Sequence, residues 1–268
     1  MRVGELDIGF LGGWTERRMH RRRTFVDEMP WGTLDLARYT DEELLHAREA
    51  WTNGVFTEYA SAAAFSQLAT LFIECGAPID LTSTCADIVV DELSHVELVS
   101  RVVLEIGGAV PYELRLDRIT QLVDPELPVL LRACELAVTT SCVGESLSVP
   151  ALSRSRSLTK SPLMKAVLDR LVRDEGPHAQ LGPRFLAWAN TQLRDEDRAW
   201  LAQVALDAIA VYAPLWRGEV GTDVANGLGV ADDSGYAATM TTAVRDKIVG
   251  RLARCNIHLD ADRLSELL

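Results

Sequence analysis

Lysine is almost missing. Of 27 basic residues only Lys160, Lys165 and Lys247 are lysines, and the chain carries a net charge of −12 with a pI near 4.9. A general nucleic-acid binder needs a basic footprint, which this balance does not provide. Cysteine offers no metal knuckle or redox pair: Cys75, Cys85, Cys134, Cys142 and Cys255 show no Cys-x-x-Cys spacing. An odd number of thiols in a chain able to build a core points to reduced cysteines and a cytoplasmic setting. No apolar run approaches the roughly eighteen residues of a membrane span. Met1 to Trp14 contains Glu5 and Asp7 and has no basic start before a long apolar run, which argues against a signal peptide. The expectation is a soluble protein.

Helix formers fill the sequence. The 268 residues are 48% hydrophobic, enough for one sizeable core, and the apolar positions follow helical spacing, so the fold class is all-α. Residues 1–40 form an arm with the basic run Arg17-Arg18-Met19-His20-Arg21-Arg22-Arg23, expected as a clamp on the acidic body or a docking patch for an anionic partner. Thr40 followed by Glu43 is a capping box opening a first long helix that stops at Gly76-Ala77-Pro78. A second helix runs from about Asp80 to Gly107, and residues 109–124 form a crossing linker. A third starts after Asp124-Pro125-Glu126 with Pro128 in its first turn and fades near Ser153 to Ser157. Ser161-Pro162 opens a fourth, to about Leu193. Residues 194–268 are a C-terminal helical extension, with helices from Asp195 through Trp216, over 236–254 and in the tail.

Two segments stand out. Residues 91–95 read Asp-Glu-Leu-Ser-His and residues 174–178 read Asp-Glu-Gly-Pro-His, so the frame Asp-Glu-x-x-His occurs twice and uses two of only five histidines. A Glu and a His three residues apart share one helix face and can grip one metal ion. The other two long helices each carry one carboxylate on an apolar stripe: Glu58 among Trp51, Val55, Ala62 and Phe65, and Glu145 among Val138, Cys142 and Val149. Four carboxylates converging on an apolar interior would repel one another and would be costly to desolvate. Two divalent cations shared with two imidazoles would neutralise them.

The set Glu58, Glu92 with His95, Glu145, and Glu175 with His178 resembles the ferritin-like diiron-carboxylate superfamily, in which two helices give one Glu each and two give Glu-x-x-His. The likeness covers about residues 41–193 and is nearest to the desaturases and related oxygenases. It implies a four-helix bundle holding two iron ions, with mixed iron and manganese or manganese alone as variants, and O2 as co-substrate. It also implies that Asp91 and Asp174 hold the far nitrogens of the ligand histidines. Two departures matter. Gly176-Pro177 sits inside the second motif, and Gly182-Pro183 follows. A proline in a helix interior costs roughly 3 kcal/mol, so a kink or π-bulge is expected there, leaving the reach of His178 open. Leu171, one turn before Glu175, stands where some diiron N-oxygenases carry a further histidine. Glu97 falls off the ligand face.

The expected function is oxidation of a small organic substrate by hydroxylation, desaturation or N-oxygenation, with an external electron donor and compatible with a homodimer. A ferroxidase-like protein without organic substrate and a tRNA-modifying hydroxylase are the alternatives. Trp51, Phe65, Ser61, Ala62, Ser141, Cys142 and Cys85 are candidates for the pocket wall.

Overall fold

A computed structural model describes residues 2–3, 6–7, 9–111, 119, 123–217, 226–231 and 235–268. Apart from a two-residue hairpin, Arg2–Val3 with Leu6–Asp7, the described chain is helical. Residues 218–225 and 232–234, between the helices expected through Trp216 and over 236–254, and most of the 109–124 linker lie outside the described residues.

The arm contributes α1 (Gly13–His20) and α2 (Thr24–Asp27). Its basic run clamps the body: Arg23 is buried and donates to the equally buried Glu97 at 2.5 Å, and Arg22 faces Asp87. Glu97 is therefore the arm's anchor rather than part of the carboxylate cluster. The capping box is present as expected, Glu43 N donating to Thr40 Oγ1 and Thr40 N to Glu43 Oε2, and it opens α3 (Asp41–Glu74). α4 (Ile79–Glu105) follows and packs along the length of α3. α5 (Val129–Leu136) begins after Pro128, which stands at its N-cap and not inside its first turn. The chain then widens into a π-helical segment, Ala137–Glu145, before α6 (Ser146–Leu158). Ser161 caps α7 (Pro162–Ala189), accepting from Met164 N. Behind this group lie α8 (Asp195–Tyr212), α9 (Pro214–Arg217), α10 (Tyr236–Ala243), a second π segment (Val244–Val249), α11 (Gly250–Ala253) and α12 (Ala261–Leu267).

The core divides into two apolar clusters with a polar layer between them. On α3, Val55 and Phe56 belong to one cluster and Phe65 and Leu68 to the other, and Glu58 falls between. On α4, Ile88 and Val96 bracket Glu92. On α7, Leu171 and Leu181 bracket Glu175 and His178. Each helix thus places its carboxylate at the same level, where the apolar stripe is interrupted on the inward face. No described helix is long and apolar enough to cross a membrane.

Candidate metal centre

Glu92, His95, Glu145, Glu175 and His178 are buried, and Glu58 is nearly so. Their donor atoms form two groups, each compact enough to hold a metal ion: Glu58, Glu92, His95 and Glu175, and Glu92, Glu145, Glu175 and His178. Glu92 and Glu175 belong to both. His95 turns Nδ1 inward, 3.3 Å from Glu58 Oε2, 3.3 Å from Glu175 Oε1 and 3.7 Å from Glu92 Oε2. His178 does the same, with Nδ1 2.9 Å from Glu92 Oε1 and 3.2 Å from Glu175 Oε2. The rings lie 5.9 Å apart, centroid to centroid. The six sequence candidates are therefore brought together, and His178 reaches the cluster despite Pro177.

The outward nitrogens point at the motif aspartates of the opposite helix. His95 Nε2 lies 3.1 Å from Asp174 Oδ2, and Arg170 Nε donates to the same oxygen at 2.5 Å. Arg170 stacks in turn on Phe25 of the arm, 3.7 Å from the ring centre. His178 Nε2 stands 3.6 Å from Asp91 Oδ2, too far for a hydrogen bond.

The electrostatics of the cluster are those of a site built for positive charge. Burial, with the charges of Glu92 and Glu175 adding to it, lifts Glu58 to about 8 despite His95 beside it. Burial and the same two neighbours push Glu145 well above the usual carboxylate range. Burial alone would lower His178, but the carboxylates of Asp91, Glu175 and Glu92 outweigh it and lift the imidazole to about 12. Burial likewise works against His95, and Asp174, Glu175, Glu58 and Glu92 raise it well above its ordinary value. Protons thus do the neutralising when nothing else does. Both oxygens of Glu92, Nδ1 of His95 and Nε2 of His178 are buried without a hydrogen-bond partner. Unpaired buried polar atoms are rare because each costs about 1–3 kcal/mol. A donor set of carboxylate oxygens and imidazoles with such orphans fits a pair of divalent cations. No protein-family model, no curated protein and no solved structure matches the chain.

The second half of the cluster owes its shape to an unusual join. Of the kink or π-bulge expected at Gly176-Pro177, the π-bulge does not occur, since α7 stays α-helical through both prolines. The π geometry lies instead on the facing segment, Ala137–Glu145, which delivers Glu145. The side chain of Ser141 enters α7. Its Oγ donates to His178 O at 2.6 Å and accepts from Gly182 N–H at 2.7 Å, the two groups that an α-helix pairs directly. Side-chain insertion of this kind opens a helix locally. Gly182 permits the approach: a Cβ there would lie 2.7 Å from Ala137 O and 2.7 Å from Cys142 Sγ. Pro183 removes the donor for Ala179 O, and Arg251 Nη1 replaces it at 2.8 Å.

A cavity of about 490 Å³ opens onto the four carboxylates. Trp51 and Ser61 line it, and Ser61 Oγ also donates to Glu145 Oε1 at 2.8 Å. Phe65, Ala62, Ser141, Cys142 and Cys85 do not line it. They sit in the packed interior, Cys85 bonded to Phe65 O and Phe65 edge-on to the His178 ring. Helical proximity to the ligands, the ground for expecting those five at the wall, does not say on which side of the carboxylate layer the space lies. Thr139, Thr140, Tyr212, Gly229 to Ala231 and Tyr236 also line the cavity. They carry no signal in the sequence, because they come from a π segment and from distant parts of the chain. A second hollow of about 550 Å³, between Trp14, Arg17, His20 and Arg21, lies on the arm and shares no residue with the cluster.

Proposed function

We propose that the chain is a ferritin-like dinuclear oxidoreductase, a non-haem diiron oxygenase or oxidase that uses O2 on a small organic molecule. One observation supports this reading above the rest: two Glu/His groups joined through Glu92 and Glu175 form the floor of a cavity large enough for such a molecule. In this reading Glu58 and His95 would help hold one ion and Glu145 and His178 the other, with Glu92 and Glu175 available to either. Bound iron would supply the electrons that reduce O2, with an external donor restoring them.

The chain's own residues do the rest. Asp174 and Arg170 fix the ring of His95 with Nδ1 inward. Leu147, Leu152, Leu168 and Leu171 give the cavity an apolar side. Thr140 lies on the lining, with its Oγ1 buried and without a hydrogen-bond partner. Among the described lining residues there is no Lys, Arg or His. An anionic substrate finds no counter-charge on the walls, so an uncharged or cationic molecule with an apolar body fits best.

The cavity favours a substrate over simple iron oxidation, and an oxygen electrode distinguishes them. Reduced, iron-loaded protein is expected to consume O2 faster when an organic substrate of this class is added. Stimulation by free Fe(II) alone, across a panel of neutral and amine compounds, would replace this reading with the ferroxidase one.

A further inference from the structure

We propose that Ser141 is a positioning residue that ties His178 to Glu145 and thereby governs the second metal position alone. This role rests on the two-metal reading of the cluster.

Ser141 stands four residues before Glu145 in the same π segment and is fully buried. A serine in a helix usually satisfies its hydroxyl on its own helix, at the carbonyl three or four residues back. Ser100 does so here, donating to Val96 O at 2.6 Å. Ser141 instead spends both its donor and one acceptor on a different helix, at the backbone of His178 and Gly182. The carbonyl it holds belongs to the ligand histidine itself. One hydroxyl therefore couples the backbone that carries His178 to the segment that carries Glu145, the two residues that distinguish the second group from the first.

The coupling is stiff on three sides. Gly182 lies against Ala137 O and Cys142 Sγ with no room for a Cβ. Pro183 leaves Ala179 O open to Arg251, whose Nη1 also donates to Ser146 Oγ at 3.2 Å. Ser146 Oγ reaches back to Ser141 O at 3.4 Å. Arg251, from the C-terminal helices, thus props both halves of the join. His95 and Glu58 stand on α4 and α3, which Ser141 does not touch through any described hydrogen bond. Loss of the hydroxyl is expected to leave their position intact.

The test titrates Mn(II) into metal-free wild type, Ser141→Ala, Arg251→Met and, as a control for a lost buried hydroxyl, Ser100→Ala. Equilibrium dialysis gives the affinities and electron paramagnetic resonance distinguishes a close Mn(II) pair from an isolated ion. Wild type and Ser100→Ala are expected to bind two ions with the signature of a coupled pair. Ser141→Ala should keep one ion at wild-type affinity, bind the second about 10–100-fold more weakly, and show the isolated-ion spectrum at intermediate loading. Arg251→Met should shift the second ion the same way by a smaller factor. Wild-type affinity for both ions in Ser141→Ala, or equal loss of both, overturns the proposal. If Ser141→Ala does not fold, Arg251→Met decides, and an unchanged second affinity there overturns it. A wild type that never binds more than one Mn(II) strikes the two-metal reading itself.

Discussion

The two halves of the cluster present the same side chains and hold them by different means. Glu58 and His95 stand on regular α-helices, and the imidazole is braced from outside through Asp174, Arg170 and Phe25. Glu145 and His178 stand on a π segment and a proline-bearing helix, and the brace is at the backbone, through Ser141. Asp91, the counterpart of Asp174, is half-exposed and 3.6 Å from its ring. The ring of His95 is braced at its side chain, that of His178 through its backbone. The motif Asp-Glu-x-x-His does not encode that difference: the helix bond that Pro177 removes is the one to Arg173 O, whereas Ser141 bridges His178 O and Gly182 N, a pair that reaches past the end of the motif.

The comparison breaks most visibly at the shared carboxylates. Glu175→Ala should abolish loading of both ions, whereas Glu145→Ala should lower it from two to one per chain, measured by elemental analysis after dialysis against Fe(II) or Mn(II). Equal losses in the two variants would show that the halves are not separable. Next in size is the join. Gly182→Ala places a Cβ 2.7 Å from Ala137 O and is expected to destabilise the protein by about 1–3 kcal/mol. Gly176→Ala, in the same helix with nothing within 4 Å, is expected to be neutral or to stabilise by roughly 0.5–1 kcal/mol. Denaturant titration of both resolves a contrast of that size.

The outer brace comes third. Asp174→Asn should weaken the ion on the His95 side by about tenfold, and Asp91→Asn should do less on the His178 side, because no hydrogen bond is lost there. A larger effect from Asp91 would reverse the assignment of side-chain and main-chain bracing. A further effect is in pH. Without metal, Glu58 is held at about 8 against an ordinary value of 4.5, and His178 at about 12 against 6.5. Both raised groups bind protons more tightly when folded. The stability from Glu58 is complete below about 4.5 and lost as pH rises through 8, and that from His178 is complete below about 6.5 and lost on the way to 12. The melting temperature of metal-free protein should therefore fall from pH 6.5 to 8.5. Metal affinity should rise over the same range as the protons are displaced. A flat or rising melting curve would remove protons as the neutralising agent.

The helices that carry the cluster were legible because each obeys a local rule. Thr40 with Glu43, Ser161 with Pro162, and the stop at Gly76 give three of the boundaries, and helical spacing puts Glu58, Glu92, Glu145 and Glu175 on inward faces. The π segment was not legible, since widening a helix by one residue per turn leaves no residue signature of its own. Nor was the pocket wall. Whether Phe65 or Thr140 borders open space depends on which side of the polar layer the C-terminal helices leave uncovered, and that is settled by packing between residues far apart in sequence. Arg170 could have been found, because it stands four residues before Asp174 on the same helix.

One wall of the cavity is a strap, residues 226–231, that opens with a single 3-10 turn over Asn226–Leu228. Gly229, Val230 and Ala231 line the cavity, and the strap is pinned to the body by backbone bonds: Tyr39 and Thr159 donate to Gly227 O, Trp51 to Leu228 O, and Ala231 N donates to Ser155. None of the six cluster residues lies on it. The cluster and this part of the cavity wall thus lie on separate stretches of chain. Under the proposed reading, a graft of residues 226–231 would reshape one wall of the cavity and leave all six cluster residues in place.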